Sequence, residues 1–265
     1  MSLNATSRRE TFTGMLLVSL LWPLGVRAQS PPPDLARRVA ARATQARRAR
    51  DQFTYRQKVV IEELSPAGAR AGQYREIRDV VFSPLAERSE QVVGKPLQTL
   101  QRLQLTEEDF RDIREVQPFL FDSDQLWIYE TRFKGEETMD GVDCYVMQVR
   151  PRQILAGQRL FDGLVWAAKK DYSMVRSEGK AVPEMRSLKN ENLFPHFTTL
   201  WGPVDGDLRF PLFTYADDTL DFRVGPQRIR LSIRYSNYQR FAAESTVKFG
   251  EGAGPSSGPA RAQTP

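Results

Sequence analysis

Apolar and polar residues alternate one by one along most of this chain, and in two places the period lengthens to that of a helix. Tyr55, Gln57, Val59 and Ile61 alternate with Arg56, Lys58, Val60 and Glu62, the pattern of a strand with one covered and one wet face. Tyr74–Ser83 and Arg88–Val93 continue the pattern. Beyond Pro118 every apolar run reads as a strand. The runs are Trp127–Phe133, Val142–Val149, Leu160–Lys169, Tyr172–Lys180, Phe194–Trp201, Leu208–Tyr215, Thr219–Val224 and Arg228–Arg240. In the last of these, Ile229, Leu231, Ile233 and Tyr235 oppose Arg228, Arg230, Ser232 and Arg234.

The two helical stretches are Leu35–Arg50 and the residues after Thr106. In the first, Leu35, Val39, Ala43 and Ala46 recur at helical spacing, Pro31-Pro32-Pro33 precedes it, and Asp34 stands where a cap belongs. In the second, Thr106 followed by Glu107, Glu108 and Asp109 predicts a cap and an acidic first turn. Phe110, Ile113 and Val116 or Gln117 share a side, and Pro118 ends it. Roughly ten strands and two helices predict a mainly β chain with a few helices: one domain, its antiparallel sheet curved into an incomplete barrel, with helices over the concave side. A curved sheet of this length leaves its concave side to be filled by the helices, by a ligand, or by both.

The ends read differently. Arg8 and Arg9, the short apolar run Met15–Leu24 and the small-residue exit Val26-Arg27-Ala28 predict a secretory signal over residues 1–28, cut before Gln29. The run is too short to span a bilayer, so no membrane-spanning segment is expected to remain after the cut. Residues 29–249 are expected to form the domain, and 250–265, mostly Gly, Pro, Ser and Ala, a tail with almost nothing to bury. The expected place of work is the periplasm. The formal charge of the chain is +5, and loss of the first 28 residues removes +2 of it. The surplus lies largely in Arg37, Arg38, Arg42, Arg47, Arg48 and Arg50, expected on a solvated helix face. With no stacking platform or recognised module beside them, nucleic acid is not an expected partner.

Catalytic chemistry lacks its parts. His196 is the single histidine and Cys144 the single cysteine, so zinc-ligand spacing and an intramolecular disulfide are both excluded. Neither a nucleophile elbow nor a phosphate loop occurs. Asp217, Asp218 and Asp221 lack the spacing of a calcium loop and read as a solvated turn. Cys144, mid-strand beside Val142 and Val146, reads as buried and inert. No enzyme, metal or cofactor is expected. What stands out is the aromatic content, 15 Phe, eight Tyr and four Trp, which suits an aromatic-rich core or an apolar groove. Alternation assigns Tyr55, Val59, Ile61, Trp127, Tyr129, Phe133, Leu231 and Ile233 to the covered faces of their strands, and these are the expected ligand-binding residues.

Three stretches carry a resemblance. They are Asp140-Gly141-Val142-Asp143-Cys144-Tyr145-Val146-Met147 with Pro151, Gly163-Leu164-Val165-Trp166 with Asp171-Tyr172-Ser173-Met174-Val175-Arg176, and the closing Ile233–Phe241. Together with the order of elements they resemble the LolA-like periplasmic lipoprotein carriers, mainly over the second half of the chain. The resemblance implies a half-barrel whose concave face, lidded by helices, holds lipid or the acyl chains of lipoproteins. The alternative is an envelope scaffolding module that uses the same fold on a protein partner and carries no lipid.

Overall fold

The computed structural model describes residues 30–83, 87–119, 121–186 and 191–241. The expected signal and tail lie outside these residues. The chain divides into a unit Met1–Ser30 and a unit Pro31–Pro265, and the second is the sheet and its helices.

Helix α1 (Leu35–Arg50) is followed by β1 (Phe53–Leu64), β2 (Arg70–Phe82), β3 (Arg88–Val92) and the short β4 (Leu97–Gln98). Helix α2 (Glu107–Arg111) runs directly into a π turn, Asp112–Val116, and a 3-10 turn spans Leu126–Ile128. Then come β5 (Tyr129–Met139), β6 (Val142–Pro151), β7 (Leu160–Ala168), β8 (Met174–Val182), β9 (Met185–Arg186), β10 (Glu191–Asn192), β11 (Phe197–Asp205), β12 (Leu208–Phe222) and β13 (Gly225–Arg240). Every pairing is antiparallel. The main sheet runs β3-β2-β1-β13-β12-β11-β8-β7-β6-β5, with β4 beside β2, while β9 and β10 pair separately. The last strand lies against the first, Val59 opposite Ile233 and Ile61 opposite Leu231. The outer strands β3 and β5 do not meet, so the sheet is an unclosed barrel.

The alternation read from sequence sets the burial. Tyr55, Gln57, Val59 and Ile61 of β1 and Ile229, Leu231, Ile233 and Tyr235 of β13 all face one buried side. That side is the core: Leu35, Val39, Ala40 and Ala43 of α1 pack on it together with Ile113, Val116, Phe119 and Phe121. A smaller cluster, Cys144, Val146, Trp166, Ala168 and Val175, sits apart from it. Cys144 and Val146 alternate with the core-facing Met147 and Val149, and Trp166 with Val165 and Ala167, so this cluster lies on the outer face. The Trp166 indole is covered there by Arg176, 4.9 Å above the ring, and donates to Glu137 at 2.7 Å.

Four local expectations differ from what is found. Leu208–Tyr215 and Thr219–Val224 are one continuous strand, β12. The acidic run between them lies mid-strand because its charge is matched across the ladder: Asp217 pairs with Arg228 at 2.9 Å and with Arg230 at 2.9 Å. Asp34 takes a left-handed backbone, φ 58, with no side-chain cap. Its carbonyl accepts the Arg38 N–H at 3.0 Å instead. The arginines of α1 are not simply solvated. Arg42 pairs with Asp171 at 3.1 Å, Arg47 with Asp122 at 3.1 Å and Asp124 at 2.6 Å, and Arg38 donates to the Tyr172 hydroxyl at 2.9 Å. These contacts pin the helix to the chain beneath it. Trp127, finally, stands in the 3-10 turn ahead of β5 rather than in a strand.

Candidate functional site

Of the eight residues assigned to the covered face, six lie in one core: Tyr55, Val59, Ile61, Tyr129, Leu231 and Ile233. Phe133 is half-buried and packs at the margin. Trp127 is 75% exposed and takes no part, because the alternation that would have turned it inward starts only at Tyr129.

The concave side is filled by the chain itself. The described residues 99–119 and 121–128, here the plug, cross it beside α1, and their attachments are specific. The Glu63 carboxylate, almost fully buried, accepts three successive backbone N–H groups. It takes Gln101 at 2.9 Å, Arg102 at 2.7 Å and Leu103 at 2.5 Å. Gly72 makes room for this: a Cβ there would lie 2.5 Å from the Thr99 carbonyl and 2.9 Å from Glu63 Oε2. Asp109 accepts the Thr106 N–H at 2.7 Å, the cap expected from sequence. Phe119 stacks on Phe161 with ring centroids 4.3 Å apart, and the Gln117 carbonyl accepts from Thr199 at 2.7 Å. Further on, Ser123 N–H donates to Thr44 of α1 at 2.9 Å.

The covered face also carries polar groups. Ser177, Thr199 and Thr214 are opposite one another on β8, β11 and β12, and Gln57 is opposite Tyr235 on β1 and β13. All five are buried. Thr199 and Thr214 hydroxyls meet at 2.8 Å. The Gln117 side-chain amide, which the plug buries in the core, has no hydrogen-bond partner among the described residues.

Filling stops short at one end of the half-barrel. Between the plug, the β12–β13 hairpin and the segment around β10 lies a cavity of about 220 Å³. Its walls are Leu103, Leu105, Leu193, Phe194, Leu220, Phe222, Val224 and Ile229, and Ile61 and Leu231 of the covered face also line it. Leu193, Leu220 and Ile229 form an apolar cluster there with Leu103 and Phe222. Val224, at the hairpin tip, is 87% exposed. The polar part of the lining includes Arg102, Thr106, Asp109, Glu191, Asn192 and Gln227. Burial pushes the Asp109 carboxyl up, against the pull of its hydrogen bonds with Thr106 and Asn192. Below Asp109, Asp112 and Arg159 form a buried ion pair at 2.6 Å. Burial raises the Asp112 carboxyl to about 7 despite that partner.

Sequence reading found the floor of this cavity in Ile61 and Leu231 and missed its walls. The wall signal was present: Leu103-Gln104-Leu105 alternates in a stretch with no strand partner, and Phe222 and Val224 place two apolar residues at a hairpin tip.

The other reactive side chains stand apart. His196 is exposed, and its backbone N–H donates to Asp218 at 2.9 Å. Cys144 is buried, and burial raises its thiol to about 11. A second cleft lies among the turns at the opposite end, its charged residues Asp143, Lys169, Lys170, Asp171, Asp207 and Arg209 mixed with Val142, Ala168 and Pro203. Among the described residues no group of three or more His, Cys, Asp or Glu is placed to hold a metal ion.

No protein-family model matches the sequence, and no characterised protein matches it as a relative. Among solved structures, the chain is similar to LolA-like folds. A DUF1329 family protein from Desulfovibrio piger is 13% identical, with 82% of this chain and 96% of that one covered, at a TM-score of 0.42. A LolA superfamily protein from Nitrosomonas europaea is 15% identical, with 76% and 94% covered, at 0.33. A domain assigned to outer membrane lipoprotein sorting, from Vibrio parahaemolyticus, is 11% identical, with 74% and 90% covered, at 0.33.

Proposed function

We propose that this chain is an exported binding protein that takes up an apolar, acyl-type ligand at the open end of its half-barrel, and that it performs no catalysis. One observation carries the reading. The apolar walls of the end cavity run without a break into the covered face through Ile61 and Leu231. A concave apolar site with a few polar groups at its edge suits such a ligand, and each methylene buried contributes about 0.8 kcal/mol. The leader read in residues 1–28 supports a periplasmic location. Among the described residues no helix is long and apolar enough to cross a membrane.

Native mass spectrometry of protein purified from an exporting host tests the reading, together with displacement of a fluorescent fatty-acid probe. Co-purified lipid and probe binding support it. Phe222→Glu, at the rim, is expected to abolish probe binding, and Arg234→Glu, which alternates with the core residues Ile233 and Tyr235, to leave it intact.

A second reading has its own observation. Tyr55, Val59 and Ile233 are already covered by α1 and the plug, so the fold is complete without a ligand. An envelope module that binds a protein partner and no lipid needs nothing more. Absence of both co-purified lipid and probe binding would move the assignment there.

A further inference from the structure

We propose that the end cavity selects a single-chain amphiphile with an anionic head, held at the rim by Arg102. The proposal rests on the acyl-binding reading above and names the ligand class for that site.

The charge at the rim is unequal. Arg102 lines the cavity and is exposed, and among the described residues its guanidinium has no carboxylate partner. Its backbone is fixed, because its N–H is one of the three held by Glu63. Its guanidinium reaches across to the β12–β13 hairpin, where a Cβ on Gly225 would lie 4.0 Å from Nη2. The rim carboxylates, by contrast, are engaged. Glu191 accepts the Arg223 N–H at 2.9 Å and lies 3.9 Å from both the Arg186 and Arg223 guanidinium groups. Asp109 accepts from Thr106 and, at 3.0 Å, from Asn192. Asp221 alternates with the wall residues Leu220 and Phe222 and so faces away. What the rim offers an incoming head is therefore the one uncommitted cation among the described lining residues, which suits a carboxylate or a phosphate monoester.

The size of the cavity sets the tail. About 220 Å³ is below the roughly 300–1,000 Å³ of sites that take drug-sized ligands, so it admits one alkyl chain and excludes a bundle of them. With the head at Arg102, that chain runs down past Leu103 and Phe222 to the floor at Ile61 and Leu231.

Titration calorimetry on the exported chain, with probes of one alkyl length below their micelle concentrations, tests this. The probes are dodecanoate, dodecyl phosphate, dodecanol and dodecyltrimethylammonium. The two anions are expected to bind roughly tenfold more tightly than the alcohol, and the cation more weakly than the alcohol. The tighter anion identifies the head. Arg102→Gln is expected to erase the preference of the anions over dodecanol, and Arg102→Glu to invert the order. Equal binding of all four probes, or an unchanged order in Arg102→Glu, overturns the anionic-head proposal and leaves the acyl-binding reading standing. Binding of none overturns the acyl-binding reading itself, and this proposal with it.

Discussion

Asp112 in the plug and Arg159 at the entry to β7 form an ion pair at 2.6 Å, their side chains 0% and 3% exposed. The pair is not isolated. Arg159 also donates to Asn192 at 3.0 Å, and Asn192 donates to Asp109 and to Thr106. Plug, β10 and the β7 entry are thus joined by one buried polar network behind the cavity wall. A buried pair is weak evidence for net stability, but removing one partner leaves the other as an uncompensated charge. Its clearest consequence is therefore a dependence on pH.

Burial raises the Asp112 carboxyl from 3.8 to about 7 in the folded chain. The folded state then holds this proton more tightly than the unfolded state does. The contribution to stability is complete below the unfolded value of 3.8 and drains away as pH rises through about 7. Asp109 and Asp122, raised by burial too, act with the same sign. Thermal melts are expected to show a Tm that falls from about pH 4 to about pH 8. Asp112→Asn is expected to flatten that slope even where it lowers Tm throughout. A slope unchanged in the variant would assign the effect to other groups.

Gly163 and Gly179 face each other across β7 and β8, and the Phe161 ring lies over both. A Cβ on Gly163 would meet Phe161 Cζ at 2.6 Å and Gly179 Cα at 2.7 Å. Neither can yield, since one is backbone and the other is the ring on which Phe119 stacks. Gly163→Ala is expected to lower stability by about 3 kcal/mol, read from the urea midpoint at constant m. Gly202→Ala is the contrast: there the obstacle is the half-exposed Leu212 side chain, which can turn away, so the loss is smaller.

How far the sequence reached depends on whether a signal was local. Alternation along β1 and β13 was legible because one face is core and the other water, so Val59 and Ile233 were assigned correctly from their neighbours alone. Thr106 and Asp109 announced the start of α2, and Pro118 the end of the helical stretch, but nothing local announced that α2 stops at Arg111 and gives way to a π turn. Cross-strand compensation was not legible: Asp217 and Asp218 look like a turn until Arg228 and Arg230 are known to lie alongside. The function of Glu63 was hidden for the same reason, since its three N–H donors are about forty residues away and exist as a set only in the folded plug. The end cavity draws its walls from four separate segments, of which sequence periodicity could place just the two on regular strands.

Cys144 offers a check on the outer face. It is fully buried under the Trp166 cluster, and burial raises the thiol to about 11, so little thiolate forms at neutral pH. A thiol reagent at neutral pH is expected to leave the native protein unlabelled over hours and to modify one thiol per chain in denaturant. Trp166→Ala removes the cover and is expected to make Cys144 reactive without unfolding the concave core. Rapid labelling of the native wild type would mean that the outer cluster opens on its own.

Phe119 is the residue at which the two functional readings make opposite forecasts. Its ring stacks on Phe161 and also meets Phe121 and Tyr129, so it holds the middle of the plug against the sheet. Phe119→Ala is expected to cost about 3–5 kcal/mol of stability through lost burial and the cavity left behind. If an acyl chain competes with the plug for Val59, Tyr129 and Ile233, loosening the plug raises the fraction of molecules able to accept it. Apparent affinity then rises in proportion to that fraction. A fluorescent fatty-acid probe is accordingly expected to bind the variant more tightly than the wild type, while near-ultraviolet circular dichroism confirms a folded core. If the plug is instead a permanent part of a partner-binding module, the variant loses stability and gains no affinity. A folded Phe119→Ala protein that binds the probe no more tightly than the wild type would therefore rule out uptake along the covered face and confine the ligand to the cavity at its end.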